Sequence, residues 1–128
     1  MDLTKPEFDV ASAVERGAVL HLKHPFTDEL MMDGQNPVTI TLRGAESATV
    51  RNVIKIQNQK KTRGVKLTED EVGLEIIIAA IIDWSHIGDK KGDMEPTRDN
   101  IKEILLRLDW IGQQILPFVM ERRNFFTG

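Results

Sequence analysis

The stretch "IIDWSHIGDKKGDMEPTRDN", residues 81–100, gathers a serine, a histidine and five carboxylates into twenty positions. Ser85 beside His86 raises acyl-transfer chemistry, in which an imidazole takes the proton of a hydroxyl nucleophile. That chemistry needs the base within hydrogen-bond reach, a third group to orient it and an oxyanion hole, and adjacency in sequence supplies none of these. Metal chemistry has three histidines to draw on, His21, His24 and His86. His21 and His24 stand three apart, which on a strand sends them to opposite faces, leaving His86 alone. There is no cysteine, so thiolate nucleophiles, disulfides and Cys-ligated zinc are excluded and a reducing compartment is permitted. The sequence therefore points to no catalytic residue, no metal ligand and no cofactor, and to a protein that is not an enzyme. Gly88, Gly92 and Pro96 punctuate the stretch and Thr97 resembles a helix cap, so the segment reads as a surface loop bounded by helices. Trp84 is expected to anchor its beginning in the core, with the indole N–H turned toward the loop.

The elements around this loop follow from periodicity. Asp9 caps a short helix over "VASAVER" that Gly17 ends. Alternation in "AVLHLK" and "PVTITLR" then predicts half-buried strands, with Ala18, Leu20 and Leu22 on one face of the first and Val38, Ile40 and Leu42 on one face of the second. "ELMM" and the reversal "DGQN" lie between them. The expected unit is a three-stranded antiparallel meander, with Pro37 at the start of its last strand. From Ser47 to Lys61 the pattern is helical, with Val50, Val53, Ile54 and Gln57 inward, and Gly64 closes the unit. Thr68 and Glu71 form a capping box that starts a second helix. Its run "IIIAAII", residues 76–82, has seven consecutive apolar positions, so it must be covered on every side by the core or by a partner. Further on, Ile101, Ile104, Leu105 and Leu108, then Trp110, Ile111, Gln114, Ile115, Phe118 and Val119, fall at one-face spacing, as two helices or one bent helix. Pro117 predicts a kink or a helix start near it. The class is α+β: a helix and meander over residues 9–43, then a bundle of about four helices over residues 47–122 and a short tail, all in one domain, residues 1–128.

Bulk properties limit the functions open to such a chain. Hydrophobic residues make up 41% of its 128 residues and charged residues 29%, which is ordinary for a soluble domain. The longest apolar run is far short of the roughly 20 residues a membrane span requires. The acidic "MDLTKPEFDV" does not read as a secretory signal, which places the protein inside a cell. Charge is unevenly spread: across residues 45–66, Arg51, Lys55, Lys60, Lys61, Arg63 and Lys66 face only Glu46, for a net +5. Residues 67–100 carry nine acids against Lys90, Lys91 and Arg98, for a net −6. Such segments can pair within a molecule or between copies of it. Nucleic-acid binding through the basic segment is disfavoured, since no aromatic residue stands among its cations for stacking and the whole chain is acidic.

The order "LHLKHP", "DG", "PVTITLRG", a serine-started helix, an apolar helix ending in Trp84, then Gly92, Pro96 and Asn100, then "DWIGQQ…FVMERRNFF", resembles the tail assembly chaperones of long-tailed, non-contractile bacteriophages and related prophages. The likeness covers residues 18–126 and its weight lies in the order and spacing of short motifs. It implies a non-enzymatic protein of the host bacterial cytoplasm. Such a protein binds the tape measure protein, helps recruit the tail tube protein, associates with its own copies and is absent from the finished virion. A structural tail or head-tail component that stays in the particle is the alternative. Arginines and aromatics are enriched at contact hot spots, so Arg122, Arg123, Phe125 and Phe126 are the first expected partner-binding residues. Ile77 and Ile81 on the apolar helix are the second.

Overall fold

Asp9 opens helix α1 (Val10–Arg16) by accepting a hydrogen bond from Ser12 N at 3.1 Å. Gly17 ends it at φ +85°, where a Cβ would lie 2.7 Å from both Leu42 O and Ile82 Cδ1. The computed structural model describes residues 1–126. It is a mixed α and β fold of five α-helices and small antiparallel sheets.

Strand β1 (Ala18–His21) is followed by the short hairpin β2 (Met32–Asp33) and β3 (Asn36–Pro37), then by β4 (Thr39–Leu42). The alternation is as expected: Leu22, Val38, Ile40 and Leu42 are buried while Val19 and Lys23 are exposed. The meander, however, is not the unit that forms. β1 pairs directly with β4, from Ala18 opposite Leu42 to His21 opposite Thr39. "ELMM" is thereby pushed past the end of the sheet, where Met31 bonds Leu22 and Val38 and the β2–β3 hairpin turns at Gly34.

The third strand comes from the segment read as the end of the apolar helix and the start of the loop. Helix α3 (Glu69–Ala80), capped by the Thr68 hydroxyl, stops one residue before Ile81, and β5 (Ile81–Ser85) runs antiparallel to β4 in the order β1-β4-β5. No glycine or proline forces this ending. The free edge of β4 competes for the backbone, and β-branched isoleucines suit a pleated surface. A bulge makes the new strand fit. Ile81 pairs with Leu42 and Asp83 with Thr41, which leaves Ile82 as the extra, exposed residue. Ile81 and Trp84 are three apart and would face opposite sides of a regular strand; the extra residue brings both into the core.

Helix α2 (Ala48–Thr62) is capped by the Ser47 hydroxyl and packs on α3, where buried Gln57 donates to Val72 O at 3.1 Å. After β5 comes a second hairpin, β6 (Gly88–Asp89) and β7 (Gly92–Asp93), so the expected helical part is interrupted between its second and third helices. Thr97 caps α4 (Arg98–Arg107), and a break at Leu108 separates it from α5 (Asp109–Met120). The break lies at Leu108, not near Pro117, which sits inside α5. One apolar cluster runs through the sheet and α2 to α5, from Leu22, Ile40 and Leu42 through Val50, Ile77 and Trp84 to Ile104, Ile115 and Val119. Among the described residues no helix is long and apolar enough to cross a membrane.

Candidate functional site

The carboxy-terminal segment is tied to the body of the protein. The Arg122 guanidinium grips Glu46 with two hydrogen bonds, Nε to Oε1 at 2.6 Å and a terminal nitrogen to Oε2 at 2.9 Å. That grip holds the Glu46 carboxyl below the usual glutamate range. Asn124 donates to Phe118 O at 2.9 Å, and the Phe125 ring stands edge-on against Phe118 with centroids 5.7 Å apart. Phe125 is 3% exposed and belongs to the core. Arg123 projects into solvent with its side chain 95% exposed, and Phe126 is partly exposed.

Three of the six expected contact residues are thus buried, although Ile77 also reaches the wall of a groove between α3, α4 and α5. Phe125, Ile77 and Ile81 are buried: Ile77 because α3 lies against α4 and α5, and Ile81 because the bulge in β5 turns it inward. Arg122, Arg123 and Phe126 remain at the surface.

A different surface gathers apolar and charged groups. The first turns of α3, the end of α4 and the outer side of α5 enclose an open groove of about 660 Å³. Leu74, Ile77, Leu105, Leu106 and Leu116 line it, and Glu69, Asp70, Glu71 and Asp109 add carboxylates, with Arg107 as the single cation. Leu106 is 73% exposed and Leu108 beside it is also exposed. Gly112 eases the approach of α5 to α3, since a Cβ there would stand 3.3 Å from Ile77 Cδ1, whereas one at Gly73 would make ordinary contact with Leu116 Cδ1 at 3.4 Å. The signal for this groove was in the sequence: a glycine inside a helix costs about 1 kcal/mol against alanine, and close packing is a reason to tolerate it. Which helices meet there was not readable from spacing.

The loop that opened the question holds its histidine elsewhere than at Ser85. His86 adopts φ +63°, and its Nδ1 lies 3.3 Å from Asp33 Oδ2 and 3.8 Å from Asp93 Oδ2. Among the described residues no hydrogen bond joins Ser85 to His86. His21 contacts Met31 O through Nε2 at 2.8 Å, and His24 Nδ1 accepts from Phe26 N at 3.2 Å, so both stabilise the turn around them. Trp84 is buried and its indole N–H donates to Met94 O at 2.6 Å, the anchoring role expected of it. Gln114 bonds both the N–H and the C=O of Lys23, at 2.9 and 2.7 Å, and so closes a piece of strand-edge backbone. No protein-family model, no curated protein and no solved structure matches the chain.

Proposed function

We propose that this protein is a non-enzymatic tail assembly chaperone of a long-tailed bacteriophage or prophage. It acts in the host bacterial cytoplasm by binding the tape measure protein and promoting assembly of tail tube protein, and it leaves before the virion is complete. The observation that carries the reading is the open groove between α3, α4 and α5, with its leucine floor and acidic rim. An elongated helical client presents apolar stripes, and a groove of this kind accepts an amphipathic helix by its apolar face. The rim selects helices whose flanks are basic, because like charge repels and opposite charge speeds encounter. The motif order from "LHLKHP" to "RRNFF" supports the same assignment. Self-association belongs to the same reading: α2 is rich in cations and the start of α3 in carboxylates, and contacts between opposite charges on successive copies need not close into a ring.

The test is co-expression with the tape measure protein of the same phage. Leu106→Asp puts a charge on an exposed groove residue without opening the core, so it should lower stability by only about 1 kcal/mol, the cost of an aspartate in the last turn of a helix. Capture of the tape measure protein should fall at least tenfold. A folded variant with undiminished capture removes the groove from the reading. Mass spectrometry of purified virions separates the structural-component alternative, which requires the protein to be present in them. Micromolar nucleic-acid binding near physiological salt, abolished when Lys60 and Lys61 become glutamate, would overturn the assignment in favour of a nucleic-acid-binding protein.

A further inference from the structure

We propose that Asp33, His86 and Asp93 form a binding site for one first-row divalent cation, with zinc the best fit, and that the bound ion clamps the β2–β3 hairpin to the β6–β7 hairpin. One ligand atom from each residue lies within 4.8 Å of the other two. The spacing discriminates between two ways of satisfying these groups. A charge-assisted hydrogen bond from imidazole to carboxylate closes to about 2.7–2.9 Å. Ligands about 2.0–2.2 Å from a tetrahedral zinc ion stand about 3.3–3.6 Å apart. His86 Nδ1 is 3.3 Å from Asp33 Oδ2, a tetrahedral edge, and 3.8 Å from Asp93 Oδ2, a few tenths of an ångström beyond one, and both distances are long for hydrogen bonds. A single proton on Nδ1 can serve one carboxylate well, whereas one cation serves all three groups at once.

The donor set narrows the ion. One imidazole and two carboxylates suit zinc and its first-row neighbours, while calcium and magnesium prefer shells made wholly of oxygen. Two carboxylates also balance the charge of a divalent ion. The Asp33 and Asp93 side chains are 62% and 64% exposed, so solvent reaches the fourth position. Asp33 ends β2, His86 links β5 to β6 and Asp93 ends β7, and the two hairpins belong to separate ladders with no backbone pairing between them. The ion would join them. This site is remote in its residues from the groove and does not rest on the client-binding reading.

The experiment titrates Zn²⁺ into the full chain, freed of any histidine tag and of chelators, by calorimetry, with Co²⁺ substitution to read geometry. The expected result is one Zn²⁺ per chain at micromolar affinity, a raised melting temperature, and the intense visible bands of tetrahedral Co²⁺. His86→Asn keeps a residue that tolerates positive φ and removes the ring, and it should weaken Zn²⁺ binding at least tenfold, as should Asp33→Asn and Asp93→Asn. His24→Ala should bind as the parent does, and Mg²⁺ should not compete. If His86→Asn fails to fold, the two aspartate variants, which change exposed side chains, decide the question. Absence of saturable Zn²⁺ binding, binding that survives the aspartate variants, or loss on His24→Ala instead would overturn the site.

Discussion

At Trp84 a single residue joins the sheet to the loop that follows it. Its ring packs in the core from β5, opposite Ile40 of β4, while its N–H holds Met94 O, so both its apolar area and its donor are used. Trp84→Ala should cost about 3–5 kcal/mol, and Trp84→Phe, which keeps most of the area but orphans a partly buried acceptor, about 1–3 kcal/mol. Chemical denaturation of the two variants measures both. Equal losses would mean that the indole hydrogen bond carries the effect, whereas a Phe variant as stable as the parent would mean that packing alone matters and that water replaces the indole at Met94. Ser85, by contrast, is exposed at the end of β5 with no hydrogen bond to His86 among the described residues, so a serine-nucleophile reading of this stretch has no geometric support.

Among the elements, the carboxy-terminal segment changes most between sequence and structure. As a frayed tail rich in arginine and phenylalanine, it should be removable without harm to the fold. As a 3-10 turn (Arg122–Phe125) that seats Phe125 against Phe118 and ties Arg122 to Glu46, it belongs to the body of the protein. Phe125→Ala should therefore destabilise by about 3–5 kcal/mol, and deletion of residues 124–128 by at least as much, while Arg123→Ala stays within about 0.5 kcal/mol. Thermal melts distinguish the cases. A deletion variant that melts with the parent would return Phe125 to the contact surface.

For the molecule as a whole, ion pairs link segments far apart in sequence: Arg122 with Glu46, and Arg98 on α4 with Glu75 on α3. Each arginine holds its glutamate below the ordinary range, and the Ser12 hydroxyl and N–H at the Asp9 cap do the same for that carboxylate. A carboxylate with a depressed folded pKa contributes stability that is complete above its unfolded value and lost as pH falls through the folded one. The melting temperature should then be flat with respect to these groups above about pH 5 and decline below the ordinary glutamate value of about 4.3. The pairs are exposed and screened, so each contributes little, and added salt should reduce their share further. Glu75→Gln should start lower at neutral pH and decline less steeply in acid. A parallel decline in parent and variant would show that the Arg98 pair contributes nothing.

The sequence by itself determined the local chemistry of the chain. Asp9, Ser47, Thr68 and Thr97 cap helices as their hydroxyl or carboxyl groups predict, because capping needs only neighbours two or three residues away. The alternation of Val38, Ile40 and Leu42 placed them in the core for a similar reason, since a strand's faces are set by its own pleat. What depended on distant partners was decided only in three dimensions. Whether 81–85 continues a helix or becomes a strand turns on the free edge of β4, and local apolarity is the same in either case. Phe125 is core because Phe118 and Val14 of separate helices leave room beside Gly44, where a Cβ would meet both Val14 and Phe125. Likewise Asp33, His86 and Asp93 stand up to sixty residues apart along the chain, and no spacing rule unites them; the sheet brings their two hairpins to the same end. Non-local pairing is an energy difference between competing partners, and a single sequence read by period and spacing carries each partner's preference but not the outcome of the competition.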